Sequence, residues 1–247
     1  MKLSITKINS FLDCPRKYWY MYDLKMGTPK SEGFFFGSAI HEGLENFYNG
    51  KNPMEGVRQA LFSKKKSIKE EAKEGVDPYK LYKEARRIFD IYKKKAPKYK
   101  PLLVEYRFEV ELIHPKTQKQ LPATLVGKID LITDKAEVID HKTASGSSSS
   151  FFEDKNTFQA SGYVYAYWKI FGKMPAGFIF NTIIKGNSKH EPRIEQNFVN
   201  IGLEHLCVFF NKCEDVLGKI TREETRDYPN TSHCRFCSFK DICPKKI

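Results

Sequence analysis

The chain has 247 residues, 40% of them hydrophobic and 14% aromatic, which excludes a disordered chain and leaves ample material for a core. Lys and Arg number 42 against 30 Asp and Glu, a net charge of +12. A surplus of that size excludes an indifferent neutral surface and favours a polyanionic partner, nucleic acid before an anionic membrane. No run nears the ~18 consecutive apolar residues of a membrane span, and residues 1–11 lack the apolar core of a signal peptide. The expected setting is the cytoplasm, with no membrane partner. Thiols stay reduced there, so the six cysteines need a purpose other than disulfides.

Residues 6–24 read as an aromatic-rich helix interrupted at Cys14-Pro15. Residues 33–37 read as a short apolar loop. Ser38 then caps a helix to Tyr48, with Ile40, Leu44 and Phe47 on one face. Residues 53–97 read as two or three helices within a basic helical insertion spanning 51–100. They carry Lys64-Lys65-Lys66, Arg86-Arg87 and Lys93-Lys94-Lys95. For any single lysine the plain reading is a solvated face; set against the +12 total, some of these residues are expected to meet DNA. Residues 102–112 have strand chemistry. Residues 124–132, a turn at 133–136 and residues 137–143 form a β-hairpin. Residues 144–150 (ASGSSSS) read as a flexible segment that could order over substrate. Asn156 caps a helix to Phe171, closed by Gly172. Strands follow at 177–185 and 193–200, then an amphipathic helix at 201–220, then a polar, cysteine-rich tail from Arg222. The whole is expected to be a single α/β domain with a mixed central sheet flanked by helices.

The hairpin carries the chemistry. Gly127-Lys128-Ile129-Asp130 is followed by Val138-Ile139-Asp140-His141-Lys142. Asp140 and Lys142 are two apart and share a strand face. A turn at 134–136 sets Asp130 opposite Asp140, close enough to share a ligand. Two carboxylates forced together repel unless a cation lies between them. Oxygen donors select Mg²⁺ or Mn²⁺. A lysine beside the cation can hold a water or stabilise phosphate charge. The plain alternative is an edge hairpin with solvated charges. D-x-K alone recurs by chance, but here it has a second Asp at the right distance and apolar flanks.

Two helices add to the set. His41 lies in G-x-x-x-H-x-x-L-E, beside the apolar face of its helix. Gln159 and Tyr163 are spaced i, i+4 on a later helix. Each alone is more simply structural. Taken together, His41, G-x-I-D at Asp130, D-x-K-T at Asp140 and Lys142, and Q-x-x-x-Y at Gln159 and Tyr163 resemble the PD-(D/E)xK nuclease superfamily, and its RecB-like branch most. The resemblance runs from about Lys2 to Pro244, thinnest over residues 51–100. It implies a restriction-endonuclease-like sheet and metal-dependent cleavage of DNA. It implies that His41, Asp130 and Asp140 are metal ligands together with the backbone carbonyl of His141, that Lys142 is the catalytic lysine, and that Gln159 and Tyr163 orient the site. The family usually has an aromatic such as Tyr at the position of His141, a departure of little weight if only the carbonyl is used. Glu105, on the strand before the hairpin, is a further carboxylate outside the expected set.

Cys234-x-x-Cys237-x-x-x-x-x-Cys243-Pro244 lies in the tail, where little apolar sequence is available to bury it. Cys-x-x-Cys brings two thiolates to one metal from a tight turn, and Cys243 can return to it. Cys207 and Cys213 fall on the apolar face of a helix and read as core. Cys14 remains as a remote fourth. One N-terminal and three C-terminal cysteines resemble the iron–sulfur staple of the same branch, found in CRISPR adaptation exonucleases and the AddB nuclease domain. The resemblance implies a [4Fe–4S] cluster clamping the 222–247 tail to Cys14. Four thiolates suit a structural Zn²⁺ equally.

The expected activity is therefore that of a Mg²⁺- or Mn²⁺-dependent deoxyribonuclease, an exonuclease serving CRISPR adaptation, phage recombination or replication, or repair. Its expected substrate is DNA that is single-stranded or has single-stranded ends. A reading from a different class is a non-catalytic DNA-binding module with a structural metal cluster. No G-x-x-x-x-G-K-[ST] motif encodes an ATP motor, so a helicase, integrase or recombinase would be a separate partner.

Overall fold

A computed structural model describes residues 1–63, 75–145, 154–186, 190–224, 234 and 237–244, without the side chains of 154 and 155. The elements run β1 (Lys2–Leu3), α1 (Ile5–Asp13), α2 (Pro15–Tyr18), a π-helical turn (Trp19–Asp23), α3 (Glu32–Tyr48), α4 (Pro53–Phe62), α5 (Pro78–Lys95), β2 (Pro101–Ile113), β3 (Gln120–Thr133), β4 (Glu137–Ala144), α6 (Asp154–Phe171), β5 (Gly177–Ile184), β6 (Arg193–Val199) and α7 (Leu203–Thr221). The six strands form one mixed sheet in the order β1-β3-β4-β5-β6, with β2 also paired to β3. β3–β4 and β5–β6 are antiparallel; β1–β3 and β4–β5 are parallel. The mixed α/β expectation holds.

The described residues group into two compact units. Residues 1–28, 108–127 and 201–247 make one, and residues 29–107 and 128–200 make the other. In the first, α1 packs on α7, and Leu3, Ile8, Leu206, Phe210 and Val216 are buried. Cys207 and Cys213 are buried here, as their helical face predicts. In the second, α3, α4 and α5 cover one face of the sheet. Phe36, Ile40, Leu44, Ile88 and Phe89 join a core with Leu131, Ile139, Ile179 and Ile183. Each such side chain contributes about 1.5–3 kcal/mol on burial. The other face, with Ile132, Val138, Phe178 and Phe180, carries α6, whose Tyr163 ring stacks on Phe178.

Several boundaries differ from the sequence reading. Residues 33–37 are helix, not loop, because Ser31 rather than Ser38 caps α3; its Oγ accepts the Phe34 N–H at 3.3 Å. Glycine disfavours helix by about 1 kcal/mol, so Gly33, Gly37 and Gly43 argue locally against it. Packing decides otherwise: a Cβ at Gly43 would lie 2.4 Å from the Phe89 ring, so only glycine lets α5 close on α3 here. α6 begins at Asp154, before Asn156. β1 has only two residues, too few for any periodicity to reveal. Residues 64–66 and 146–150, read above as a basic run and a flexible segment, lie outside the described residues.

α5 needs less help. Asp77 caps it by accepting the Tyr79 N–H at 2.9 Å, Pro78 occupies the first turn, and Lys93, Lys94 and Lys95 complement its C-terminal dipole.

Candidate active site

The β3–β4 hairpin turns at Ala136, whose φ of 62° and N–H bond to the Thr133 carbonyl, 3.0 Å, close it tightly. Leu131 then pairs with Ile139 and Ile132 with Val138. One step further along this register brings Asp130 level with Asp140. Both acids are buried, at 7% and 3% exposure. Asp130 Oδ2 accepts the backbone N–H of His141 at 2.8 Å. His41, on α3, sets Nδ1 3.6 Å from the same oxygen.

Asp140 has its own partners. Lys142 Nζ lies 2.7 Å from its Oδ2, and Gln159 Nε2 donates to its Oδ1 at 3.4 Å. The Lys142 ammonium also sits 5.6 Å from the centre of the Phe180 ring. Gln159 in turn hydrogen-bonds Tyr163. The helix pair Gln159/Tyr163 thus meets the hairpin at Asp140, while His41 meets it at Asp130.

Two further residues join the site. Glu105 brings a carboxylate oxygen within 4.8 Å of ligand atoms of both His41 and Asp130. Its φ is 53°, a left-handed conformation in mid-strand that disfavours any side chain by about 1–2 kcal/mol. Glu105 is ion-paired with Lys128, whose position two before Asp130 puts both on one face of β3. The Lys128 spacing was readable in the sequence; nothing in the sequence marks Glu105 as left-handed.

The site is short of positive charge. Glu105, Asp130 and Asp140 face two ammonium groups, Lys128 and Lys142. Burial first, and the Asp140 charge second, push the Asp130 carboxyl well above its ordinary range. Burial also raises Glu105, against the pull of Lys128. Burial lowers His41 despite the neighbouring acids, keeping its imidazole neutral and able to ligate. Lys128 sits on Glu105 Oε2 and Lys142 on Asp140 Oδ2, which leaves three carboxyls to share two ammonium groups. Hard oxygen donors, a neutral imidazole and uncompensated negative charge fit a divalent cation.

The His141 side chain lies on the opposite strand face from Asp140 and Lys142, with its ring edge-on to that of His41 at 6.4 Å. Its ring stacks on Tyr48, with centres 5.6 Å apart and an 11° tilt. Its Nδ1 lies 3.0 Å from Asn181 Nδ2, which also meets the Tyr92 hydroxyl at 3.1 Å; Tyr92 and Tyr48 share a hydrogen bond of 2.7 Å. Burial first, then electrostatic interaction with His41 and Lys142, lowers His141 to about 3, so it stays neutral.

The cysteines form a separate constellation. None of the six is in a disulfide. Cys14 sits between α1 and α2, where Pro15 starts a new helix. Cys243 is within electrostatic reach of Cys14, Cys234 and Cys237; burial chiefly, and then those thiols, raise its pKa. The Cys237 amide bonds the Cys234 carbonyl at 3.1 Å, and the Phe239 N–H donates to Cys237 Sγ at 3.5 Å. Tyr20 stacks on Phe239 at 5.0 Å and reaches the Ile242 carbonyl at 3.5 Å, tying the N-terminal segment to the tail. Among the described residues only His41, Glu105 and Asp130 bring three metal-ligating atoms within 4.8 Å of one another, so these thiols are neighbours without a closed ligand set.

Among the described residues no helix is long and apolar enough to cross a membrane. The chain is similar in structure to a proposed exonuclease of Eubacterium rectale, with 14% identity, a TM-score of 0.66, and coverage of 100% of this chain and 90% of the other. SSO0001 is a further similar structure, with 15% identity, a TM-score of 0.49, and coverage of 100% and 87%. No curated protein sequence matches. The family model of the PD-(D/E)XK nuclease superfamily matches residues 2–244. The match spans nearly the whole chain, and the chain belongs to the PD-(D/E)XK nuclease superfamily.

Proposed function

We propose that the protein is a Mg²⁺- or Mn²⁺-dependent deoxyribonuclease of the RecB-like branch, acting as an exonuclease on DNA with single-stranded character. The observation that carries this reading is the convergence of His41, Glu105 and Asp130 within 4.8 Å, beside the Asp140–Lys142 pair.

In this reading His41, Asp130 and Asp140 hold the cation with the His141 carbonyl, and Glu105 adds a carboxylate. The bound cation supplies a Lewis acid for a phosphoryl oxygen and for activation of a water. Lys142 orients the attacking water or stabilises charge on the phosphorus centre. Attack in line breaks the P–O bond to the leaving oxygen. Gln159 fixes the Asp140 carboxylate, and Tyr163 fixes Gln159. The His141 amide fixes Asp130. A reduced cytoplasmic setting suits the free thiols. Cys14, Cys234, Cys237 and Cys243 hold a [4Fe–4S] cluster that staples the chain ends, with structural Zn²⁺ as the alternative occupant.

The test uses end-labelled linear DNA, single- and double-stranded, and a circular control, each with Mg²⁺ or Mn²⁺. The expected result is degradation of linear DNA only, lost in Asp130→Ala and Lys142→Ala with DNA binding kept. Cleavage unchanged in both variants contradicts the reading. Anaerobically purified protein is expected to be brown; colourless, zinc-loaded protein assigns the thiols to Zn²⁺.

A further inference from the structure

The solvent face of α5 carries a row of cations. Lys83, Arg86, Arg87, Lys93 and Lys94 are all exposed, and they lie on one side of the helix with a single acid, Asp90, among them. Several cations elsewhere on this surface are paired with a nearby acid: Lys2 with Glu109, Arg58 with Glu55, Lys100 with Asp134, Lys219 with Asp215. Among the described residues none of the five α5 cations has an ion-pair partner. Concentrating like charges on one helix face is unfavourable by a few tenths of a kcal/mol per pair, so the row is a standing strain that a polyanion would relieve.

The geometry suits a nucleic-acid backbone. At ~1.5 Å per residue, Lys83 to Lys94 spans about 16 Å, the rise of roughly five base pairs at ~3.4 Å per strand charge. An anionic membrane fits less well. A helix that lies on a bilayer buries its own apolar face in the lipid, whereas Leu81, Ala85, Ile88, Phe89 and Tyr92 are committed to the protein core. The row also stands outside the hydrolytic centre. Tyr92, on the buried side of α5, is the residue that reaches Asn181 and, through it, His141.

We propose that the exposed face of α5 is a nucleic-acid exosite, which holds the backbone of DNA flanking the segment being cut and reads no sequence. This rests on the nuclease reading for its role, though not for its existence. The exosite raises affinity for long DNA and leaves the hydrolytic step alone.

The test compares wild type with K83Q/R86Q/R87Q/K93Q/K94Q and with Asp90→Asn. Binding of a long fluorescein-labelled DNA is measured by anisotropy in EDTA across a salt series. Hydrolysis of bis(p-nitrophenyl) phosphate with Mn²⁺ reports the centre without any DNA flank. The fivefold variant is expected to bind DNA at least tenfold more weakly, with the slope of log K against log salt reduced by up to about 4.5, at ~0.9 per phosphate contact. Asp90→Asn is expected to bind severalfold tighter, an effect that misfolding cannot mimic. Hydrolysis of the small ester stays at the wild-type rate in both. Unchanged affinity and slope overturn the exosite, as does binding to phosphatidylserine vesicles that the fivefold variant loses while DNA affinity is kept. If wild type hydrolyses neither ester nor DNA, the nuclease reading fails and the binding series still decides the exosite.

Discussion

The backbone N–H of His141 donates to Asp130 Oδ2 at 2.8 Å, so one acid of the pair is tethered to the residue directly after the other. This bond fixes Asp130 without consuming its charge. It also means that the two buried carboxylates cannot swing apart to relieve their repulsion. Asp130→Asn can keep an oxygen acceptor for the His141 amide while removing the charge. In metal-free protein at pH 8 this variant is expected to be more stable than wild type by on the order of 1 kcal/mol, read as a higher Tm. It is expected to lose Mn²⁺ binding and cleavage at the same time.

The pH dependence follows from the same crowding. Burial and Asp140 raise Asp130, and burial raises Glu105. Both carboxyls therefore hold protons more tightly when folded than when unfolded, where they titrate near ~3.9 and ~4.3. Their contribution to stability is full below pH ~4 and is lost as pH rises through the folded values. A bound cation cancels the loss. Mn²⁺ is thus expected to raise Tm more at pH 8 than at pH 5, and Asp130→Asn to flatten that difference. Equal shifts at the two pH values would contradict this account.

Glu105 holds a left-handed φ of 53° that glycine would adopt without strain. Comparison of Glu105→Gly with Glu105→Ala isolates that strain, because both lose the carboxylate and its Lys128 ion pair. The glycine variant is expected to be about 1 kcal/mol more stable in urea denaturation. Both are expected to bind Mn²⁺ more weakly than wild type. Strain kept for a ligand is the expected signature of a working site.

Behind the site, the Tyr92 hydroxyl serves both Tyr48 and Asn181. Tyr92→Phe leaves two buried polar groups short of a partner, and is expected to be destabilising by about 1–3 kcal/mol. Asn181 is the only described side chain that hydrogen-bonds the His141 ring. The same variant is therefore expected to lower kcat severalfold with little change in DNA affinity, measured in the cleavage and anisotropy assays.

Much of this was legible before any coordinates. The β3–β4 hairpin follows from alternation and a turn, and its register follows from counting across residues 134–136. That count alone brings Asp130 level with Asp140 and leaves Lys142 on the shared face. The Gln159/Tyr163 spacing puts both on one face of α6, where Gln159 reaches Asp140 and Tyr163 reaches Gln159. What was hidden has tertiary causes. The start of α3 was masked by glycines whose helical position is set by the Phe89 ring, a contact far along the chain. β1 exists only because a neighbouring strand accepts two residues of it, at Thr124 and Leu125. Glu105 entered the site through a backbone conformation that no residue type announces. The division of labour at the hairpin was equally unreadable: His41 attends Asp130, while Lys142 and Gln159 attend Asp140.

The most direct test of the central claim is Mn²⁺ titration of the purified protein, followed by electron paramagnetic resonance, in wild type, His41→Ala, Glu105→Gln and Asp130→Asn. Bound Mn²⁺ in wild type, weakened at least tenfold in each variant, is the expected result. Equal Mn²⁺ binding in all four proteins would show that these side chains do not gather around a cation, and the hydrolytic reading would fall with it.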